Sequence, residues 1–346
     1  MTRKILFGLL ALGPVVIALD VLTELGDVTL FVIAAAALIP LAWLIGEATE
    51  HAAHHTGPGI GGFLNATFGN APELIIALLA VSDGLFEVVR GSLTGSVIGN
   101  LLLVLGFSLL FGGRGDVDRE SSLTSFALIG VATALFLIPA IPGWDGDPNR
   151  RSLAELSLPV AGVLLVVYVF VTWLALRRHH QLHVSDEPPE MRAWSLRFSL
   201  AVLAVATVVT AFVAETLVHT LEVFAEQAHL TEFFVAAVIV AIVGNAAEHG
   251  GAVVVAYRGK IKLAAEIALA SAAQVAVFLI PAVALISWLI DPLALSFRPV
   301  EIAVLAGSLV FTAALLFGGR SSRLRGALLI GAYATAAAAF FVAGDR

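Results

Sequence analysis

Long apolar segments alternate with short polar ones along the whole chain. A helix needs about 20 predominantly apolar residues to cross a bilayer, and eleven segments fit this requirement. Their expected limits are residues 4–24, 28–54, 58–82, 86–112, 122–142, 153–177, 195–225, 231–257, 262–290, 299–318 and 323–344. The pattern predicts an all-α polytopic membrane protein with about eleven transmembrane helices.

The composition agrees with a membrane protein and excludes several other classes. Of the 346 residues, 59% are hydrophobic and 13% are charged, whereas a soluble domain has about 25% charged residues. The sequence contains no basic patch of the kind that would indicate nucleic-acid binding. It also contains no cysteine, so it cannot form disulfides or thiolate metal sites. Arg3 and Lys4 precede an apolar run, but no small-residue cleavage site comes before Asp20. We therefore expect a retained first helix rather than a secretory signal.

The placement of basic residues predicts the orientation, because cytoplasmic loops collect Lys and Arg. With the N-terminus inside, 14 of the 19 basic residues lie in inside loops. The outside group of five consists of Arg90, Arg150, Arg151, Arg298 and Arg346. The C-terminus is then outside.

A polar linker divides the chain. It contains two adjacent prolines among acidic residues, which do not fit a membrane span. We expect an extra N-terminal helix over 1–26, a first five-helix repeat over 27–178, a cytoplasmic linker over 179–194 and a second five-helix repeat over 195–346.

A five-residue motif occurs twice. Gly69-Asn70-Ala71-Pro72-Glu73 recurs 175 residues later as Gly244-Asn245-Ala246-Ala247-Glu248. The two copies lie in the third and eighth predicted spans, five spans apart, and an odd separation reverses the membrane direction. The sequence therefore predicts two inverted repeats, the plan of many secondary transporters.

The repeated residues carry the candidate chemistry. A charge at the bilayer centre costs about 2.5–3.5 kcal/mol on insertion scales, so Glu73 and Glu248 need a bound cation, a proton or a polar partner. In a helix, Asn70 lies on the same face as Glu73, and Asn245 on the same face as Glu248. Such oxygen ligands suit calcium, magnesium or manganese. Gly69 and Gly244 weaken the helices at the start of each motif.

Further polar residues in the spans are weaker candidates. Ser96, Asn100, Ser271 and Gln274 can supply oxygens or orient the glutamates, although close helix packing explains them equally well. Glu50, Glu215 and His249 are candidates for a proton or access path, with helix ends in contact with water as the alternative for both glutamates. The group of His51, His54 and His55 resembles metal-ligand spacing, but we expect a solvated helix end there.

These motifs resemble a known transporter family. Gly-Asn-Ala-Pro-Glu followed by Gly-Ser-x-x-Gly-Asn, and Gly-Asn-Ala-Ala-Glu-His followed by Ser-Ala-x-Gln, are similar to the paired repeats of the calcium/proton exchangers (CAX) of the calcium/cation antiporter superfamily. The resemblance implies that Glu73 and Glu248 form the centre of the cation site, with the neighbouring Asn, Ser and Gln residues around them. Sodium/calcium exchangers of the superfamily carry Ser or Thr where this chain has Asn70 and Asn245, so the resemblance favours protons over sodium.

The expected function is calcium/proton antiport by alternating access, with calcium and protons as transported substrates and no cofactor. The resemblance implies a prokaryotic cytoplasmic membrane as the location, and the lipid bilayer is a further expected partner; the sequence leaves the oligomeric state open. A sodium-coupled exchanger, a cation channel and an intramembrane metalloenzyme built on the His51 group are the alternatives, the last being the only one that would make the protein an enzyme.

Overall fold

The computed structural model describes the backbone of residues 3–23, 25–182 and 194–345. Within these ranges it describes all side chains except those of residues 3–4, 57–63, 65–66, 175–182 and 247–249. Most of the predicted linker and the side chains of Glu248 and His249 therefore lie outside the described residues. The predicted boundaries of the two repeats stay a prediction.

The described chain is almost entirely helical. Its α-helices, numbered α1 to α16 in chain order, are Arg3–Leu9, Leu12–Leu22, Asp27–Gly69, Ala71–Ser82, Phe86–Ile98, Leu105–Gly112, Arg119–Gly143, Arg151–Leu182, Leu196–Gln227, Glu232–Phe234, Ala241–Gly244, Ala246–Tyr257, Ile261–Gln274, Ile280–Ile286, Pro299–Leu316 and Arg323–Ala343. Wider π-helical turns continue α5 over Gly99–Val104, α10 over Val235–Val240 and α13 over Val275–Leu279, and a short 3₁₀ turn follows α14 at Ser287–Leu289.

Within the described residues, nine helical stretches are long and apolar enough to cross a membrane. Two shorter apolar helices, Ala71–Ser82 and Glu232–Gly244, lie where the third and eighth spans are predicted. These two spans fall short because the helix breaks at each copy of the repeated motif. The predicted all-α polytopic architecture is confirmed.

Helix α3 differs from the prediction, which ends one span at residue 54 and begins the next at 58. The structure instead assigns continuous helix from Asp27 to Gly69. In a straight helix, Ala48 and Ala71 would lie about 35 Å apart, yet both belong to one small cluster of buried side chains with Ala206. The chain therefore changes direction between Ala48 and Ala71 without leaving helical geometry. Helix keeps its backbone groups hydrogen-bonded, which a low-water environment favours even where Gly and Pro occur.

Polar contacts near the helix ends fall into two groups at opposite ends of the bundle. At one end, Asp20 accepts a hydrogen bond from Thr216 and Asp83 lies 3.3 Å from His219. At the other end, Lys262 lies 2.7 Å from Asp118. The eleven predicted spans would place the two residues of each pair on the same side of the membrane. The contacts therefore agree with the predicted alternation of loops.

A short antiparallel ribbon is another element that the sequence did not predict. Strand β1, Gly115–Asp116, pairs with β2, Arg320–Ser321, at the same end as Asp118. The ribbon joins the loop before α7 to the loop before α16. The hydrogen bond from the Lys262 ammonium, with that from the Ser121 backbone N–H, holds the pKa of the Asp118 carboxyl below its usual range.

The first helical segment packs against the two helices that open the predicted repeats. A Cβ at Gly13 in α2 would lie 2.9 Å from Val209 in α9 and 3.4 Å from Leu41 in α3. Phe7 packs edge-on against Trp43 with ring centroids 5.2 Å apart. The close approach at Gly13 explains why a glycine stands in an otherwise bulky apolar segment.

Candidate cation site

Both copies of the repeated motif break their helices at the asparagine. Asn70 has φ −101° and ψ 17°, between α3 and α4, and Asn245 has φ −88° and ψ 6°, between α11 and α12. These nearly equal dihedrals lie in the sparsely populated region between helix and strand, which is common at functional sites. The glutamate of each motif is then the third residue of the helix that follows. The positive end of the helix dipole favours a carboxylate at this position.

The Glu73 side chain lies against the second motif. It is only 7% exposed, and a Cβ added at Gly244 would lie 3.1 Å from its Cγ and 3.8 Å from its Oε1. Gly244 therefore allows the carboxylate of the first half to approach the start of the motif in the second half. The structure brings the two motifs together, as a site shared between two inverted repeats requires.

A chain of hydrogen bonds joins the two halves at Asn245. Its Nδ2 donates to Ser96 Oγ at 2.8 Å and to the Ala241 carbonyl at 3.0 Å. Its Oδ1 accepts from Nδ2 of Asn100 at 3.2 Å. Ser96, Asn100 and Asn245 are all buried, so each bond lies away from water and fixes the orientation of the next amide.

A small cavity adjoins these side chains and has room for about one water-sized particle. Its walls come from both halves of the chain: Glu73, Ile76, Ser92, Leu93, Ser96, Val240 and Ala241. The sequence analysis missed Ser92. Its position one helical turn before Ser96 was the available signal, because residues four apart share a helix face.

A glycine explains how α5 comes so close to the second half. A Cβ at Gly95 would overlap the carbonyl oxygen of Ala237, which lies in the π-helical segment Val235–Val240. One turn earlier, Gly91 lies similarly close to Phe233. The absence of side chains at these two positions lets the backbones touch and brings Ser92 and Ser96 to the cavity.

The other predicted site residues are placed as follows. Asn70 and Ser271 are buried, and Gln274 is partly buried at the end of α13. The backbone of Glu248 lies in the first turn of α12, but its side chain and that of His249 lie outside the described residues. A π-helical turn follows Ile98 in the first half and Gln274 in the second. The two turns are separated by nearly the same number of residues as the two copies of the motif, which lie 175 residues apart. Such turns are rare and often occur at functional sites.

The two candidate path glutamates are both exposed. Glu50 is exposed on α3 and Glu215 on α9, although each helix is long and apolar enough to span a membrane. Glu50 lies near the end of the bundle where His55 contacts Trp194. Glu215 lies near the opposite end, next to Thr216 and its partner Asp20. The two glutamates therefore lie toward opposite ends of the bundle.

His51 is not at a solvated helix end, contrary to the sequence expectation. It is buried, lies 3.5 Å from Glu47 and stacks on the Trp194 ring with centroids 4.6 Å apart. Packing of α3 against the start of α9 removes it from water. His54 and His55 are exposed, as expected.

Arg90 and Arg298 are also buried, although the charge count assigns both to the outside group. Arg90 is fully buried in α5 and donates to Glu87 at 2.6 Å and to Asn149 at 2.9 Å. The Arg298 guanidinium lies over the Phe233 ring, 3.7 Å from its centroid, and 3.6 Å from Glu301. The sequence carried no signal for this network, because its members come together only in the folded bundle.

Most of the chain matches a known protein family. The profile of the family described as sodium/calcium exchanger protein matches residues 27–177 and 198–342. The chain belongs to this family.

Several individual members of this family are similar to the chain over most of its length. The chain is 35% identical to a Ca(2+)/H(+) antiporter of Aphanothece halophytica, over 98% of this chain and 96% of the relative. It is 36% identical to the Ca(2+)/H(+) antiporter ChaA of Bacillus subtilis, over 98% of this chain and 99% of the relative. It is 35% identical to vacuolar cation/proton exchanger 1 of Arabidopsis thaliana, over 88% and 71% of the two chains. The resemblance to calcium/proton exchangers is confirmed.

Solved structures share the fold. The structure of native YfkE superposes with a TM-score of 0.84 at 33% identity, over 97% of this chain and 99% of that one. An H+/Ca2+ exchanger CAX superposes with a TM-score of 0.77 at 16% identity, over 99% of this chain and 92% of that one. The second likeness concerns the fold alone.

Proposed function

We propose that this protein is a secondary antiporter that exchanges calcium for protons by alternating access. The observation that carries the proposal is the buried Glu73 carboxylate, which faces Gly244 of the opposite motif next to the hydrogen-bonded Ser96, Asn245 and Asn100. The names of the relatives in Aphanothece halophytica and Bacillus subtilis support calcium and protons as the transported ions.

The mechanism rests on competition for the Glu73 oxygens. A buried carboxylate is costly as a free anion, so it favours either a bound cation or a proton. Calcium prefers carboxylate, amide and carbonyl oxygens, and Glu73 together with Asn245 supplies the first two types from opposite halves. When the cation leaves, a proton on Glu73 removes the charge and allows the site to turn toward the other side.

We assign Glu248 the same role in the second half, because it occupies the equivalent position of the repeated motif. Asn70 belongs to the same ligand set, and Ser271 and Gln274 support it. Two carboxylates match the charge of one divalent cation. Two protons can then replace that cation without leaving a net charge in the membrane.

Alternating access needs one hydrated route from each side. Glu50 and Glu215 are exposed and lie toward opposite ends of the bundle. A charged side chain in a membrane span faces water rather than lipid. We assign Glu50 to the route from the inner side and Glu215 to the route from the outer side. The N-terminus is then inside, the C-terminus outside, and the membrane is the cytoplasmic membrane of a prokaryote.

Transport by reconstituted protein tests the coupling ion. Purified protein in proteoliposomes should take up calcium-45 when a pH gradient is imposed, with proton movement in the opposite direction reported by an entrapped pH dye. A sodium gradient of equal size at constant pH is the matched control and should drive no uptake. Sodium-driven uptake would contradict proton coupling, and uptake without proton movement would indicate a channel.

A further inference from the structure

An apolar groove runs along the surface of the bundle between α15 and α16. It has a volume of about 610 Å³, and its floor includes Gly307, Gly331 and Leu102. On α16 its lining extends from Ala327 to Ala339, which is about 18 Å of helix. This length is close to half of a bilayer's hydrocarbon core of about 30 Å, so the groove spans roughly one leaflet.

The end of the groove near Ala327 opens beside a cluster of arginines. Arg323 precedes Ala327 by one helical turn. Arg325, in the first turn of α16, donates a hydrogen bond to the carbonyl of Arg320 in β2, so the two lie side by side. Arg119 lies over the Phe317 ring, 5.0 Å from its centroid. These four arginines, Arg119, Arg320, Arg323 and Arg325, form what we call the basic mouth.

The arginines of the basic mouth form no ion pair with the carboxylates of the described residues. Within the described part of the chain, none of its arginines lies within 4.0 Å of a carboxylate oxygen in an ion pair, although Asp116 stands opposite Arg320 in the ribbon. Three of them are exposed and Arg325 is half-buried. By contrast, Lys262 at the same end is paired with Asp118 at 2.7 Å.

Two exposed apolar side chains lie at the same mouth. Phe317 and Leu324 are each 69% exposed. Apolar and basic side chains side by side are typical of the boundary between hydrocarbon and head groups, where Arg binds phosphate with paired hydrogen bonds.

We propose that the groove and the basic mouth together bind one anionic phospholipid. The arginines hold its phosphate, and one acyl chain lies along the groove between α15 and α16. The charge of the mouth selects an anionic head group over a zwitterionic one. Because Leu102 lies in the π-helical segment that also carries Asn100, the bound chain contacts the helix that lines the cation site.

Native mass spectrometry of the intact, purified protein tests the proposal. The probes are phosphatidylglycerol and phosphatidylcholine with the same palmitoyl and oleoyl chains. We expect one phosphatidylglycerol to stay bound at collision energies that remove phosphatidylcholine. The double variant Arg323→Gln/Arg325→Gln should lose this retention by at least about 10-fold. Arg258→Gln/Lys260→Gln, which removes two exposed basic residues from a neighbouring loop, should keep it.

A second variant tests the groove without changing charge. Gly331 is exposed in the lining of the groove and a Cβ there meets no atom within 4 Å, so Gly331→Leu places a side chain in the groove. Its melting temperature without lipid should match or exceed that of the wild type, because Leu favours helix more than Gly, while phosphatidylglycerol retention is lost. Equal retention of both lipids, or retention that survives both variants, would overturn the proposal.

A second copy of the chain is the competing occupant of the groove. The sequence contains no cysteine, so Gly331→Cys provides a single reporter thiol. Oxidation of membranes that contain this variant should leave it monomeric. A disulfide-linked dimer would show that another protein molecule, not a lipid, covers the groove, and would also overturn the proposal.

Discussion

At the scale of single residues, Asn245 joins the two halves of the candidate cation site. Its amide binds Ser96 and Asn100 of the first half while it stands at the helix break of the second. The repeated motif allows the sequence to predict each of these residues as a site candidate. It cannot predict which amide hydrogen bonds to which, because that depends on how the two halves pack.

We predict that Asn100→Ala and Asn245→Ala each raise the calcium KM by about 10-fold or more, because each leaves a buried polar partner unsatisfied. The double variant should lose less than the sum of the two, with a coupling free energy of about 0.5–3 kcal/mol. Calcium-45 uptake over a range of concentrations measures both. Ser108→Ala, a buried residue of α6 outside the cavity, is the control. Additive effects of the two Asn variants would contradict the hydrogen-bond chain.

At the scale of elements, the breaks in the motif helices are the main feature. The sequence predicts continuous spans at 58–82 and 231–257, in which Gly69 and Gly244 weaken the helix at the start of each motif. The structure places each break at the asparagine instead, between α3 and α4 and between α11 and α12. The π-helical segments were not predictable, because a π turn and an α turn share the same apolar pattern.

Close contact between α5 and the segment Val235–Val240 gives a sharp element-scale prediction. Gly95→Ala places a methyl group on the carbonyl of Ala237, so we expect a loss of at least about 1–3 kcal/mol in stability. Gly99→Ala is the matched control, since a Cβ there meets nothing within 4 Å, and it should be neutral or stabilising by up to about 1 kcal/mol. Thermal melts in detergent compare the two. Equal melting temperatures would show that α5 does not need this close approach.

At the scale of the whole molecule, hydropathy determines most of what the sequence predicts. The number of spans, their order and the two-sided distribution of loops follow from apolar length alone, and most predicted limits agree with the structure within a few residues. Charge placement predicts less well. Arg90 and Arg298 count as loop cations in the sequence, but the fold buries them among Glu87, Glu301 and Asn149.

Arg90 holds α5 to the loops before α8 and α15, because it donates to Asn149 and to Ser296. Arg90→Met should lower stability by about 3–5 kcal/mol, the usual cost of breaking a buried charge pair. Arg151→Met removes an exposed arginine that lies 3.5 Å from Glu155 and should change it by less than about 1 kcal/mol. Unfolding in a mild detergent, followed by tryptophan fluorescence, measures the difference. Equal stabilities would show that the buried network does not hold this end of the bundle together.

The most direct test of the central claim is calcium-45 uptake by Glu73→Gln in proteoliposomes under an imposed pH gradient. Glu155→Gln, which neutralises an exposed carboxylate outside the site, is the matched control. The account predicts that Glu73→Gln inserts and melts like the wild type but loses uptake, while Glu155→Gln transports normally. Near-normal, pH-driven uptake by folded Glu73→Gln would contradict the role of this carboxylate in binding calcium and protons.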